Sequence, residues 1–243
     1  MTRAHLLAAE IRAYCQTHAD PKQAGKYARY FKEGYDSWGL LNQDHPLWQQ
    51  QQAAWLEEYR GMGIRGFLKL GEILFQSPKY EEGSLAIRFL IQFRDQLDAR
   101  TVPTLAKWFE AGIGNWAHTD VLCGEILAPL IASGQIPTAC LDSWRSSKFK
   151  YQRRAVPVSL LKLLKTDGDV RPLLEFLRPM MMDADRVVHQ GLGWFLREAW
   201  KKQPRHVEVF LMEWKDHAPR LIFQYATEKM TPAARARFRK ARA

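Results

Sequence analysis

The chain has 243 residues, which is enough to bury a sizeable core in one large domain or two small ones, and we expect a single domain over residues 1–243. Lysine and arginine number 36 against 26 aspartates and glutamates, so the formal net charge is +10. This excess of positive charge favours a polyanion such as nucleic acid over a small neutral ligand.

Two further features bound the class of protein. No segment approaches the roughly 20 uninterrupted apolar residues of a membrane span, and Glu10 and Arg12 interrupt the N-terminus before a signal-length apolar run. Cys15, Cys123 and Cys140 are odd in number and lack metal-ligand spacing, which favours reduced thiols. We therefore expect a soluble, cytoplasmic protein without membrane contact.

From the N-terminus onward, apolar residues recur at helical spacing, as in Leu85, Phe89 and Phe93. No stretch keeps the two-residue alternation of apolar and polar residues that is typical of a strand. Prolines stand where helices can begin, because their missing N–H is no loss in the first turn. They are Pro21, Pro46, Pro78, Pro103, Pro137, Pro172, Pro204 and Pro232. The sequence predicts an all-α protein of a dozen or so helices.

Four predicted helices begin at a regular interval, near Lys79, Trp116, Phe149 and Arg186, in steps of 37, 33 and 37 residues. Such a period is typical of an α-solenoid of HEAT or armadillo type, in which antiparallel helix pairs stack. We expect the second helix of each pair to line a concave, basic groove.

Three groups of side chains lie near the starts of these predicted helices. Residues three or four apart share a helix face, which pairs Trp116 with Asp120 in the first group. The same spacing pairs Tyr151 with Arg154, and Gln190 with Trp194. One carboxylate, one guanidinium and three aromatic rings suit a cationic substrate on a phosphate backbone.

Asp120 stands at the edge of an apolar run. It could simply be a helix N-terminal acid favoured by the dipole, or it could stabilise a developing positive charge in a partly dry site. Tryptophans pack in cores by default, and this alternative stays open for Trp116 and Trp194. Of Arg153 and Arg154 only one can face the groove, so its partner should be solvated or ion-paired.

Other chemistries lack a motif. His118 and His189 have neither metal-ligand spacing nor a catalytic serine motif beside them, and no glycine-rich phosphate loop is present. We expect no metal and no cofactor. Pro157 falls inside the third helix of the series and should bend it. The tail, residues 232–243, has five basic groups and no acid, and it could touch DNA or be a solvated or frayed helix.

Four motifs in order give the chain a family resemblance. They are Ala28-Arg29-Tyr30-Phe31-Lys32, Asn115-Trp116 with Asp120, Tyr151-Gln152-Arg153-Arg154-Ala155, and Gly193-Trp194-Phe195-Leu196-Arg197-Glu198. On these motifs, which span most of the chain, the protein resembles the AlkD family of bacterial DNA alkylation repair glycosylases, built from HEAT-like repeats. The sequence departs from that family's usual pattern at Ala117, Tyr151 and Gln190.

The resemblance implies a reaction and a site. The reaction is hydrolysis of the N-glycosidic bond of purines alkylated at N3 or N7, without flipping of the base. The groove residues of the family match Asp120, Arg154, Trp116 and Trp194, which we expect to be catalytic. We expect a further set to contact DNA: Arg29, Tyr30, Tyr151, Arg153, His189, Gln190 and Arg197. The partner would be duplex DNA containing alkylated purines, bound by a monomer associated with the bacterial nucleoid.

Two other functions stay open at this point. One is a catalytically silent relative that binds bent or branched DNA through the same groove. The other is a HEAT-type protein scaffold, which would have an apolar or acidic concave surface instead of a basic one.

Overall fold

In a computed structural model, residues 2–40, 45–165 and 168–240 are described, and within these ranges the chain is helical without a strand. One isolated bridge pairs Asp36 with Lys79. The predicted all-α class is confirmed. None of the helices in those ranges is both long and apolar enough to cross a membrane. The last three residues of the basic tail, 241–243, lie outside the described residues.

Residue contacts divide the chain into two compact units, residues 1–118 and 119–243. The expected single domain over residues 1–243 therefore stays a prediction.

Unit 1 is built around its fourth helix. Its helices are α1 (Arg3–Thr17), α2 (Pro21–Ala28), α3 (Pro46–Tyr59), α4 (Gly63–Leu74), α5 (Tyr80–Ile91) and α6 (Val102–Ala111), followed by the first residues of α7 (Trp116–Leu122). Helix α4 packs against α1, α5 and α6 through an apolar face that includes Phe67, Leu70 and Leu74. Gly71 lets the fully buried indole of Trp108 lie directly on the α4 backbone.

Unit 2 begins with a helix of changing pitch. Helix α7 runs into a π-helical turn, Cys123–Leu127, and then into α8 (Ala128–Ala132). The remaining helices are α9 (Lys150–Ser159), α10 (Arg171–Leu177), α11 (Arg186–Lys202), α12 (Pro204–Trp214), α13 (Arg220–Ala226) and α14 (Pro232–Ala236). A 3-10 helix, Thr138–Ser146, packs against α9.

Helix α11 is the centre of unit 2, since it packs against α9 on one side and α13 on the other. Two glycines allow this close approach. An added Cβ at Gly191 would lie 3.3 Å from Pro157, and one at Gly193 would lie 2.8 Å from the carbonyl oxygen of Ile222. The Gly-Leu-Gly sequence thus sets how close these helices come.

The predicted helix starts are confirmed to within one residue. Helices α5, α7, α9 and α11 begin at Tyr80, Trp116, Lys150 and Arg186, which gives steps of 36, 34 and 36 residues. Helix α13 continues the series after another 34 residues, at Arg220. Pro21, Pro46, Pro204 and Pro232 are each the first residue of a helix, as predicted. Pro157 lies inside α9, which ends two residues later.

The basic tail is anchored at Phe238 and is not frayed there, whereas contact of its basic groups with DNA stays a prediction. Phe238 is fully buried, and its carbonyl oxygen accepts a hydrogen bond of 2.6 Å from Nη1 of Arg220. Arg237 pairs with Glu208 at 2.9 Å. Residues 231–240 are therefore an ordered part of unit 2.

Candidate active site

Helix α7 owes its start to Asn115. The side-chain oxygen of Asn115 accepts a hydrogen bond of 2.8 Å from the backbone N–H of His118, which satisfies one of the unpaired donors in the first turn. Trp116 is the first residue of this helix and Asp120 follows one turn later, as the sequence spacing predicts.

Asp120 and Arg154 form a bidentate ion pair in unit 2. Nε of Arg154 donates to Oδ1 of Asp120 at 2.9 Å, and Nη2 donates to Oδ2 at 2.7 Å. The Asp120 side chain is 18% exposed and that of Arg154 is 8% exposed. A planar guanidinium holding both oxygens fixes the orientation of the carboxylate, and the remaining exposure leaves it accessible from solvent.

A backbone carbonyl accepts a third hydrogen bond from the guanidinium of Arg154. Nη1 of Arg154 donates to the carbonyl oxygen of Val187 at 2.8 Å, in the first turn of α11. Three elements, α7, α9 and α11, therefore meet at Arg154. Three of the five N–H groups of its guanidinium therefore donate to acceptors within the protein.

Arg153 is ion-paired, as one member of the adjacent arginines was expected to be. Its guanidinium donates to Asp183 at 2.6 Å and to Asp185 at 2.5 Å. The hydrogen bonds to Asp183 and the partner charges raise the pKa of Arg153. His189 is buried and lies 2.6 Å from the carbonyl oxygen of Asp183, so these residues tie the 183–185 loop to α9 and α11.

The remaining predicted residues of unit 2 lie on α9 and α11. Gln190 and Trp194 are half-buried and one turn apart, and Nε2 of Gln190 donates to the hydroxyl of Tyr225 at 2.9 Å. Arg197 pairs with Glu198 at 3.0 Å and with Glu228 at 2.5 Å. Tyr151 is buried, and Nζ of Lys150 lies 5.5 Å from the centroid of the Tyr151 ring.

The three predicted residues of unit 1, Arg29, Tyr30 and Trp116, are exposed, and two of them are aromatic. Trp116 is 42% exposed, its ring stacks on Phe31 with centroids 5.5 Å apart, and its Nε1 donates to the carbonyl oxygen of Tyr30 at 3.3 Å. Tyr30 is 54% exposed, and Nη2 of Arg29 donates to its hydroxyl at 2.9 Å. Exposed rings of this size at one place are typical of a binding surface.

His118 has a structural role. Burial lowers the pKa of His118 to about 4, so the ring is neutral near pH 7. Its Nε2 lies 2.9 Å from the carbonyl oxygen of Tyr80 and its Nδ1 lies 2.9 Å from Nδ2 of Asn115. These partners assign the proton to Nε2, and the ring stacks on Tyr80 at 4.5 Å.

Sequence reasoning missed several residues around these groups. Tyr225, the partner of Gln190, and the rings Phe31, Tyr35 and Tyr80 beside Trp116 were not singled out as site residues. Phe31 lies within the motif at residues 28–32, whereas Tyr35, Tyr80 and Tyr225 lie outside the four motifs. Within the described ranges, no group of three or more histidine, cysteine, aspartate or glutamate side chains is placed to hold a metal ion.

Residues 11–230 match the family model described as DNA alkylation repair enzyme. The chain belongs to this family. Membership supports an enzymatic role in DNA alkylation repair, with DNA as the substrate. No curated protein matches the chain.

Solved structures share the fold at low sequence identity. One is described as a predicted DNA alkylation repair enzyme from Enterococcus faecalis, with a TM-score of 0.69 and 15% identity over 88% of this chain and 98% of that one. Another is smu.31 from Streptococcus mutans UA159, with a TM-score of 0.55 and 19% identity over 75% of this chain and 92% of that one. At such identities the likeness establishes the helical fold.

Proposed function

We propose that this family member is a monofunctional DNA glycosylase that hydrolyses the N-glycosidic bond of purines made cationic by alkylation at N3 or N7. The observation that supports this best is the carboxylate of Asp120, held in one orientation by Arg154 and still 18% exposed. A fixed negative charge in a partly dry site is what the cleavage of such a bond requires.

The chemistry follows from the charge of the substrate. An N3- or N7-alkylated purine already bears a positive charge, so when the bond to C1′ breaks, the bonding electrons go to the base and it leaves neutral. The sugar then acquires oxocarbenium character, which the Asp120 carboxylate stabilises. Water adds to C1′ and loses one proton, for which the carboxylate is an acceptor.

In this proposal Arg154 positions Asp120, because Nε and Nη2 donate to its two carboxylate oxygens while Nη1 donates to the Val187 carbonyl. Trp194 supplies an aromatic face that favours a cation. Backbone phosphates would be bound by basic side chains such as Arg29.

The same chemistry requires neither cleavage of the DNA strand nor flipping of the damaged base. Hydrolysis by water needs no lysine nucleophile, so we propose that the DNA strand is left intact. A base that leaves without protonation needs no acid on its far side, so the damaged base can stay in the duplex while the sugar reacts. The proposal is therefore a glycosylase without base flipping.

The test is release of 7-methylguanine from duplex DNA by purified protein. We expect Asp120→Asn to lower the single-turnover rate by roughly a hundredfold or more, because the stabilising charge is lost, with DNA affinity largely retained. The matched control is Asp142→Asn, which makes the same change in another aspartate–arginine pair of unit 2, Asp142 with Arg145 at 3.0 Å. Unchanged excision by Asp120→Asn would contradict the proposal.

Substrate charge gives a second readout in the same assay. Hypoxanthine is neutral and would need a general acid, so we expect it to be excised poorly. Efficient release of hypoxanthine would contradict the charge argument. Absence of any excision by the unmodified protein, with DNA binding intact, would favour the silent DNA-binding relative.

A further inference from the structure

Unit 1 contains a cavity of about 360 Å³, and all of its lining residues belong to this unit. This volume lies within the range of small-molecule binding pockets. Seven of its sixteen lining residues are aromatic: Tyr27, Tyr30, Phe31, Tyr35, Trp48, Tyr80 and Trp116. Three of these, Tyr27, Tyr30 and Trp116, are between 42% and 54% exposed, so the cavity opens to solvent through aromatic side chains.

Three of the rings form a stacked series. Tyr35 stacks on Phe31 with centroids 4.6 Å apart and planes 22° apart, and Phe31 stacks on Trp116 with planes 18° apart. The hydrogen bond from Trp116 to the backbone of Tyr30 fixes the last ring of this series. A planar ligand that stacks on the exposed ring of Trp116 would extend the series.

The polar groups of the wall do not provide a receptor for a cation. The carboxylate of Glu81 accepts hydrogen bonds from Ser37 Oγ and from the backbone N–H groups of residues 38–40, so it holds the wall together. Arg88 adds a positive charge to the same wall. These groups favour a neutral ring over a cationic one.

Basic side chains surround the aromatic residues in sequence. Lys22, Lys26, Arg29 and Lys32 are all exposed, and within the described residues none of the four pairs with a carboxylate. A neutral planar ring tethered to an anionic chain matches both the stacked faces and this charge.

We propose that this cavity, which we call the aromatic pocket, binds one unstacked, neutral nucleobase of the bound DNA. The inference rests on DNA being the substrate, as proposed above, but it does not depend on excision. Because the damaged purine is cationic, the occupant is its pairing partner or a neighbouring base. Stacking against side chains tolerates any base, so the pocket adds affinity for distorted DNA without reading sequence.

Photocrosslinking identifies the occupant directly. A duplex with one unpaired 5-iododeoxyuridine is compared with the same duplex in which that nucleotide is paired, using the full chain and DNA without an alkylated base. We expect crosslinks from the unpaired nucleotide to aromatic residues of the pocket, such as Tyr30, Phe31 or Trp116. Crosslinks that map elsewhere in the chain, or none in a bound complex, would overturn the proposal. In 7-methylguanine duplexes, 5-iododeoxycytidine opposite the lesion and 5-iododeoxyuridine beside it distinguish the two sources.

Variants of Tyr30 test the stacking itself. We expect the unmodified protein to bind the bulged duplex roughly tenfold more tightly than the paired one. Tyr30→Ala should lose this preference and Tyr30→Phe should keep it, since the ring face is retained. The control for general effects is Leu6→Ala, since Leu6 is an exposed apolar residue of α1 outside the pocket.

Equal binding of both duplexes by the unmodified protein would contradict the proposal. The binding measurement does not require release of a base, so a failure of the glycosylase proposal can be distinguished from a failure of the pocket proposal.

Discussion

The Asp120–Arg154 pair contributes both to the stability of the fold and to the proposed reaction. Both are largely withdrawn from water, and Arg154 also holds the backbone of α11 through Val187. Removing one partner of such a pair leaves an uncompensated charge, which costs about 3 kcal/mol for a buried pair. Any activity assay on variants of this pair therefore needs a parallel measurement of thermal stability.

Arg154→Lys separates positioning from charge. A lysine ammonium is a point charge that cannot hold both oxygens of Asp120 and the Val187 carbonyl in one plane. We expect the single-turnover rate of 7-methylguanine release to fall roughly a hundredfold, with little change in the dissociation constant for DNA.

The chain offers a close control for this substitution. Arg145 also donates to an aspartate and to a carbonyl oxygen, those of Asp142 and Phe176, so Arg145→Lys makes the same change outside the proposed site. We expect excision by Arg145→Lys to match that of the unmodified protein. A loss in Arg154→Lys that lies wholly in DNA affinity would contradict the positioning role.

Sequence alone identified Asp120 and Arg154 but not their contact. The two residues are 34 positions apart, and the helical period places each near the start of its helix without fixing a rotamer or a distance. The same limit applies to Gln190, since its partner Tyr225 lies on another helix, 35 residues later. Side-chain pairs of this kind depend on how helices pack, which periodicity does not specify.

At the scale of elements, the packing of α11 on α13 depends on Gly193. An alanine there would bring its Cβ against the Cβ of Tyr225 and the carbonyl of Ile222, both of which belong to a packed helix. We expect Gly193→Ala to lower the free energy of unfolding by about 2 kcal/mol, measured by denaturant titration. Gly124→Ala, with nothing within 4 Å of the added Cβ, should have little effect, and equal effects would argue against close packing as the cause.

The junction of α5 and α7 should make stability depend on pH. An unfolded histidine takes up a proton near pH 6.5, whereas burial lowers the pKa of His118 to about 4 in the folded protein. Between these values the unfolded state binds the extra proton, so acidification favours unfolding and its free energy should fall by about 3 kcal/mol. Urea titrations at a series of pH values measure this free energy. In His118→Gln the free energy of unfolding should depend less on pH between the two pKa values. An unchanged dependence on pH would show that His118 is not the cause.

Helix starts were predictable because prolines and the apolar period are local signals. The start of α13 at Arg220 follows Pro219 and continues the same period, although the series had been drawn only as far as Arg186. The anchoring of the tail was not predictable, because a single phenylalanine among basic residues does not indicate whether it is buried, as Phe238 is. The aromatic pocket was missed for the same reason, since its rings come from separated segments.

At the scale of the whole chain, the net charge of +10 should govern DNA affinity. Binding that neutralises several phosphates releases counterions, so affinity falls with salt. We expect the association constant for unmodified duplex DNA to fall roughly a thousandfold between about 50 and about 200 mM salt, measured by fluorescence anisotropy. Affinity that did not change with salt would contradict a phosphate-dominated interface and would favour a protein scaffold.

The π-helical turn at Cys123–Leu127 bears on how this chain is compared with its relatives. A π turn spaces its hydrogen bonds five residues apart instead of four, so it contains one residue more than an α turn of the same helix. A relative whose helix is regular at this point would align correctly only with a one-residue gap between Asp120 and Ala128. An ungapped alignment would displace by one position either Asp120 or every residue after the turn, and would assign the carboxylate's role to the wrong column.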